Sequence, residues 1–269
     1  MSDCFDYHAG STPLLISIPH DGRTVPASIS TLMTERAKGL PDTDWHVGRL
    51  HEFAKGLGAS VIAATHSRYV VDLNRASTDE NLYQRRFVTG LCPEKMFDGG
   101  DIYLDGQTVG SDQKEDRIIK YWRPYHDRIA SALRDLRETF GYALLWDAHS
   151  IPSEVPLLFD GVLPELNFGT NNCQSCAGSI IDAVIERASE FEAYVSVRDA
   201  RFKGGYITRH YGDPGNDVHA VQLELAQRCY MIEEFCDFDD ERAAKLQNCL
   251  NELLRTYMKS AASHHEGRE

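Results

Sequence analysis

Residues 142–150, Tyr-Ala-Leu-Leu-Trp-Asp-Ala-His-Ser, constrain the fold of this chain more than any other stretch. Ala143, Leu144, Leu145 and Trp146 form a short continuous apolar run behind Gly141. Such a run suits a central strand covered on both faces, because a strand with one wet face alternates instead. The run ends abruptly in Asp147, His149 and Ser150. In open α/β sheets, ligands bind outside the carboxyl ends of the strands. An imidazole there is a candidate metal ligand, and a nearby carboxylate such as Asp147 can orient it. Taken alone, His149 is more simply a hydrogen-bonded histidine at a strand end. The balance shifts because other predicted strand ends carry the same residue types.

Residues 14–18 (LLISI) read as a buried strand stopped by Pro19, with His20, Asp21 and Gly22 behind it. A turn histidine and a metal ligand account for His20 equally well. A helix is predicted from about residue 42 to 57, with Val47, Leu50, Phe53 and Ala54 on its core face. Asp42 or Thr43 would cap it. Capping leaves Asp44 unexplained and therefore a candidate ligand. Residues 60–64 read as a strand, and 70–75 as another, flanked by Arg68 and Arg75 with Asn74 at its end. A guanidinium offers a two-pronged donor to a carboxylate, either a ligand's or that of Asp72 or Asp79. The polar stretch 77–110 reads as an insertion or lid loop, with a hairpin near 102–108. A helix is predicted over 111–140, bent at Pro124.

Further on, a strand-like piece is predicted at 156–159. A helix follows from the Cys173-x-x-Cys176 pair to about 191, then a strand at 194–197. A single cysteine pair does not make a zinc ribbon. The loop 203–212 is rich in glycine, cations and aromatics, and contains Arg209. Residues 219–225 alternate strictly, with Val221, Leu223 and Leu225 on one face and Gln222 and Glu224 on the other. A carboxylate inside such a strand is costly to bury unless paired or functional. Glu224 is thus a candidate general base, or else it faces water on an edge strand. A last helix is predicted over 238–260, with a disordered tail at 261–269.

Alternating strands and helices without a linker argue for one α/β domain. The 269 residues, 42% hydrophobic and 26% charged, suffice for a full core. No apolar run approaches the ~20 residues that span a bilayer. The first residues lack the basic start and apolar middle of a signal peptide, and the seven scattered cysteines argue against a disulfide framework. The expectation is a cytoplasmic protein with no membrane partner. A net charge of −13 argues against nucleic acid as well. An anionic small-molecule substrate would need arginines concentrated locally. Oligomeric state leaves no signature in the sequence.

Six segments together resemble the N-formylglutamate amidohydrolase (deformylase) family: residues 13–22 (PLLISIPHDG), 42–50 (DTDWHVGRL), 67–75 (SRYVVDLNR), 145–150 (LWDAHS), 202–212 (FKGGYITRHYG) and 219–227 (HAVQLELAQ). They occur in family order over most of the chain. The resemblance implies a zinc-dependent hydrolase that releases formate from N-formyl-L-glutamate, in the last step of one route of histidine degradation. Residues 71–75 are also similar to the Val-Asp-Leu-Asn-Arg segment of zinc metallocarboxypeptidases, where Asn and Arg hold a substrate carboxylate. That likeness implies a three-layer α/β/α fold around a mostly parallel mixed sheet, of the zinc-exopeptidase (phosphorylase/hydrolase-like) kind. It further implies His20 and His149 as zinc ligands and Glu224 as the base. Carboxypeptidases carry a Glu three residues after the first His, but Arg23 stands there in this chain. The acid ligand must come from elsewhere, with Asp44 favoured over Asp42 and Asp21. Arg68, Asn74, Arg75 and Arg209 would clamp the substrate's two carboxylates. Another divalent transition metal would also suit these ligands. The alternatives are a metallohydrolase for another N-acyl amino acid or peptide, or a metal- and ligand-binding protein without catalysis.

Overall fold

The computed structural model describes residues 4–80 and 89–267. Part of the expected lid, 81–88, and the last two residues of the expected tail lie outside the described residues. Seven strands form one mixed sheet: β1 (Phe5–His8), β2 (Leu14–Ile18), β3 (Ser60–Ala64), β4 (Ala143–Ile151), β5 (Leu166–Gly169), β6 (Ser196–Arg198) and β7 (Val218–Ala226), in the order β1-β3-β2-β4-β7-β5-β6. The central strands β3, β2, β4 and β7 run parallel, while β1 pairs antiparallel with β3, and β5 antiparallel with β7. The helices are α1 (Ala27–Ser30), α2 (Glu35–Lys38), α3 (Val47–Leu50), α4 (Ser111–Arg117), α5 (Arg123–Phe140), α6 (Gly178–Ser189), α7 (Tyr206–Tyr211) and α8 (Asp240–Glu266).

Side chains alternate across a strand, so each central strand feeds two cores. On one face Ile16, Ile18, Trp146, Ala148, Val221, Leu223 and Leu225 pack with Ile181 and Val184 of α6 and Leu250, Leu254 and Tyr257 of α8. On the other, Leu15, Leu145 and Ala220 pack under Tyr125, Ile129 and Leu133 of α5. On this second face, the next outward side chains along β2, β4 and β7 are polar: Ser17, then Asp147 and His149, then Gln222 and Glu224. The strand register pairs Ser17 with Asp147, Asp147 with Gln222, and His149 with Glu224. A polar patch therefore lies at the carboxyl ends of three neighbouring strands. The chain passes from β2 to β3 on one side and reaches β4 on the other, which makes a topological switch point there.

Several local expectations need correction. The predicted helix over 42–57 begins only at Val47 and turns to 3-10 geometry over Glu52–Leu57. Neither Asp42 nor Thr43 caps it. Asp21 instead accepts from the backbone N–H groups of His46 and Gly48 at 3.0 and 2.9 Å. Residues 70–75 are not a strand. Their backbone makes turns, with Val70 N–H donated to Ser67 O and Arg75 N–H to Asp72 O. The hairpin expected near 102–108 is reduced to isolated bridges, Met33 with Tyr103 and Lys95 with Asp101. Residues 156–159 turn, and the strand of that region is β5. The bend expected at Pro124 is a π turn over Ile118–Trp122 just ahead of it. Proline has no N–H to return to residue 120, and a wider turn accommodates that loss. The last helix does not stop at 260 but continues to Glu266, so most of the expected disordered tail is helical. Buried Ala261, and His265 lying against Tyr142, supply the packing that holds it.

Candidate active site

The two histidines singled out by the sequence face one carboxylate. His149, on β4, places Nδ1 2.9 Å from Asp44 Oδ2. His20, just past β2, places Nδ1 3.7 Å from the same oxygen. Asp44 is held there from two sides: its N–H donates to His20 O, and its Oδ2 accepts the Ser150 N–H at 3.1 Å. Of the three candidate aspartates, Asp42 points elsewhere, accepting from Phe97 N, and Asp21 faces the start of α3.

Each imidazole has a second carboxylate behind it. His20 Nε2 lies 2.7 Å from Asp72 Oδ1, and His149 Nε2 lies 3.1 Å from Asp147 Oδ2. Asp72 Oδ1 also accepts Asn74 N–H, so His20 must donate its Nε2 proton there. Its Nδ1 lone pair is then left inside the site, where that atom is buried and has no hydrogen-bond partner among the described residues. His149 permits two assignments, because Asn74 Nδ2 is also 3.0 Å from its Nε2. Both nitrogens face a carboxylate, Asp147 at Nε2 and Asp44 at Nδ1, so each carries a proton on electrostatic grounds, and a cation bound beside Asp44 would take the place of the Nδ1 proton. The Asn74 amide is oriented by its Oδ1, which accepts Ile207 N–H at 2.8 Å.

Two Nδ1 atoms and one carboxylate thus converge, and the ligand atoms of His20, Asp44 and His149 lie within 4.8 Å of one another. Carboxylate-backed imidazoles are the usual support of a metal ligand. The electrostatics fit a cation as well. Burial pushes the His149 imidazole toward the neutral form, but Asp147 and Asp44 hold its pKa well above the ordinary value. Burial likewise works against an ionised Asp44 and Asp72. The His149 hydrogen bond and the nearby His20 ring keep Asp44 ionised, and the Arg68 guanidinium does so for Asp72. Glu224 lies on β7 beside His149 and touches Gln222 Nε2 at 3.2 Å. Burial raises its pKa to about 8, with His149 opposing and Asp44 adding to the rise.

One pocket is lined by His20, Asp44, His149, Gln222 and Glu224 together with Arg68, Asn74 and Arg75. Arg68 lies deep in the network, donating to Asp72 at 2.8 Å and lying 3.5 Å from Asp44. Arg75 is half-buried, with Nε donated to Thr89 O and NH1 to Asn74 O. Its loop is fastened from the α5 side. Trp122 Nε1 donates to Arg75 O at 2.9 Å, and His126 Nε2 to Leu73 O at 2.9 Å, with the two rings stacked 3.8 Å apart. The π turn that ends at Trp122 carries the first of these donors.

Arg209 is not among the lining residues. It lies within α7, and its Nε donates back to Gly204 O. The pocket instead takes Arg201, which the sequence reading passed over, along with the apolar walls Phe97, Ile151, Leu158 and Phe202. The one available signal for Arg201 was its place at the mouth of the glycine-rich segment.

Residues 12–231 match the family model described as N-formylglutamate amidohydrolase. The chain belongs to the N-formylglutamate amidohydrolase family. Among relatives in this family, the N-formylglutamate deformylase of Pseudomonas putida is 44% identical over 99% of this chain and 100% of its own. That of Pseudomonas aeruginosa is 46% identical over 94% and 97%. The crystal structure of an N-formylglutamate amidohydrolase from Ralstonia eutropha superposes with a TM-score of 0.80 at 24% identity, covering 98% of both chains. A protein from Agrobacterium tumefaciens gives 0.74 at 19% identity, covering 98% of this chain and 96% of that one. Both superpositions bear on the fold alone, which is the family's α/β fold.

Proposed function

We propose that this chain hydrolyses the formamide bond of N-formyl-L-glutamate to L-glutamate and formate, with a divalent metal, zinc in the first instance, held by His20, Asp44 and His149. The observation that carries this reading is the convergence of two carboxylate-backed Nδ1 atoms and Asp44, with Glu224 at the neighbouring register position. The deformylase relatives, at 44% and 46% identity, support the substrate. A metal at such a site supplies Lewis-acid polarisation of a carbonyl and a water acidified toward neutrality.

The chain's own groups supply the rest. Water adds to the formyl carbon, and the carbon–nitrogen bond breaks. Glu224 accepts the water's proton and delivers it to the departing amine, so the products are formate and the ammonium form of glutamate. A carboxyl raised to about 8 holds and releases a proton near neutral pH, which is the range a general acid–base group needs. Asp72 and Asp147 hold the imidazoles in their tautomers. Arg68 balances the carboxylates behind the site, and Asn74 braces the loop that carries Arg75. Arg75 faces the substrate. The carboxypeptidase-like segment at 71–75 and the cluster at the carboxyl ends of parallel strands suit a zinc-exopeptidase-like relation. A role in histidine degradation in the cytoplasm fits the same reading. No helix among the described residues is long and apolar enough to cross a membrane.

The test is formate release from a panel of N-acyl amino acids by purified protein, before and after chelation and after return of zinc. Formate from N-formyl-L-glutamate that is lost with the metal and restored with zinc is expected. Preferred turnover of another acyl group would move the assignment to a different N-acyl amino acid. Metal binding without formate from any substrate would leave a binding protein.

A further inference from the structure

The glycine-rich segment 203–212 meets the pocket through two backbone N–H groups. Gly205 N–H donates to Gln222 Oε1 at 2.7 Å, and Ile207 N–H donates to Asn74 Oδ1 at 2.8 Å. Glycines make this approach possible. A Cβ at Gly205 would stand 2.3 Å from Asn74 Nδ2, and one at Gly169 of β5 would stand 2.4 Å from Gly204 N. Gly169 is also the register partner of Gln222. The missing side chains open the space through which the backbone at 204–205 comes down onto Gln222.

Gln222 is buried and lines the pocket. Its amide has one orientation, because a flipped amide would set two N–H donors face to face at the Gly205 nitrogen. The Nε2 end is therefore the one that lies 3.2 Å from Glu224 Oε2, and it donates there. Gln222 and Glu224 stand two residues apart on β7, so they share one face of the strand. A carboxylate on a flexible stem can turn either oxygen toward the pocket. A donor fixed on Oε2 removes that choice. It also favours the ionised carboxylate, which is the form that accepts a proton.

Resting on the deformylase reading with Glu224 as its base, we infer that Gln222 is a positioning residue for that base, and that the glycine-rich segment is what fixes Gln222. Gly205 N–H holds the amide, the amide holds Glu224 Oε2, and Oε1 is the oxygen that takes the proton from water. The arrangement matters because a reacting group misplaced by about 1 Å can cost about 10²-fold in rate.

The test is a double-mutant cycle on formate release from N-formyl-L-glutamate, with metal content measured throughout. Its members are wild type, Gln222→Met, Glu224→Gln and the double variant. Gln222→Met keeps the length of the side chain and removes both hydrogen bonds. Its kcat should fall about 10–100-fold, with KM within about twofold of wild type and metal content unchanged. In the Glu224→Gln background the same change should alter kcat by less than about twofold, because residues that act as a unit are not additive. Gln222→Leu, taken through the same cycle, guards against an effect peculiar to the thioether. An equal loss in both backgrounds would overturn the assignment and make Gln222 a general brace of the sheet. So would wild-type kinetics in Gln222→Met, or a raised KM with unchanged kcat, which would place Gln222 on the substrate instead. Loss of metal from Gln222→Met would also count against it. Two other failures are separate from these: near-normal turnover in Glu224→Gln alone removes the base, and no formate from wild type removes the deformylase reading.

Discussion

The two faces of the central sheet are made by the same three strands and follow different rules. Toward α6 and α8, the outward residues of β2, β4 and β7 near the site end are apolar but for Ser150, from Ile18 through Trp146 and Ala148 to Leu223 and Leu225. Toward α5, the same strands begin with Leu15, Leu145 and Ala220 and end with Ser17, Asp147, His149, Gln222 and Glu224. One face is filled by side chains that need no partner. The other concentrates ionisable groups that would be destabilising if any one lost its neighbour. Stability and chemistry are thus separated by the pleat, a single residue apart along each strand. The two faces should answer differently to mutation.

The largest effect is expected on the site face. His149→Ala removes one Nδ1 from the cluster and leaves Asp44 and Asp147 facing one another without a cation between them. Formate release should fall to background, and metal measured by mass spectrometry should fall with it. Full metal occupancy in this variant would remove His149 from the ligand set.

Next comes Glu224→Gln, which keeps size and hydrogen bonding but removes the proton acceptor. Turnover should drop by roughly 10²–10⁴, the usual contribution of a general acid–base group, while metal and substrate still bind. Loss of metal would make Glu224 a ligand, and near-normal turnover would exclude both roles. Its register beside His149 and its place in the pocket lining set Glu224 apart from the other strand carboxylates.

Trp146→Ala breaks the opposite face. The indole is fully buried between Phe168 and Tyr257. Its removal should cost about 3–5 kcal/mol of stability, the range for large core truncations. The folded fraction should retain metal and turnover per bound metal. A Trp146→Ala protein that folds as well as wild type but has lost its metal would mean that the two faces are coupled, against the separation argued above.

This contrast also explains what the sequence made legible. β2, β3, β4 and β7 are apolar or alternating runs with clear ends, and their polar tips name His20, His149 and Glu224 directly. The apolar run at 70–73 looks the same by composition, yet it is a turn-rich loop. What fixes it lies far away in sequence: Leu91 O accepts Asp72 N–H, and Trp122 and His126 hold its carbonyls. β1 is a four-residue edge strand of mixed polarity, and β5 is equally short, so neither has a period to read. Arg209 looked better than Arg201 because it lies inside the family-like segment. Helix α7 turns its Nε back to Gly204, while Arg201 enters the pocket from the preceding loop. Loop geometry of this kind depends on tertiary hydrogen bonds that no local pattern records.

The smallest effect separates the faces by pH. Each side holds a buried histidine outside the site whose pKa burial lowers strongly. His51, in the segment packed toward α8, donates Nδ1–H to Val47 O, and burial lowers its pKa to about 4. His126, on α5, is lowered by burial to about 3, with the Leu73 carbonyl opposing. Both are neutral when folded, whereas an unfolded imidazole titrates near 6.5. Above that pH neither state binds the proton and stability is unaffected. As pH falls from about 6.5 toward 4, the unfolded chain takes up protons that the folded protein refuses, so stability is lost. One unit below the unfolded pKa, the loss per histidine is about 1 kcal/mol. The pKa values of Asp44 and His149 are shifted as well, so the measurement must be a difference. His51→Asn keeps a donor toward Val47 O and removes the titration. Urea midpoints of wild type and His51→Asn, both prepared without metal, should converge by about 1 kcal/mol between pH 7 and pH 5.5, a value set by one histidine's linkage. Parallel midpoints over that interval would mean that His51 accepts its proton in the folded state. The histidine toward α8 would then be no more sealed from water than the imidazoles of the site.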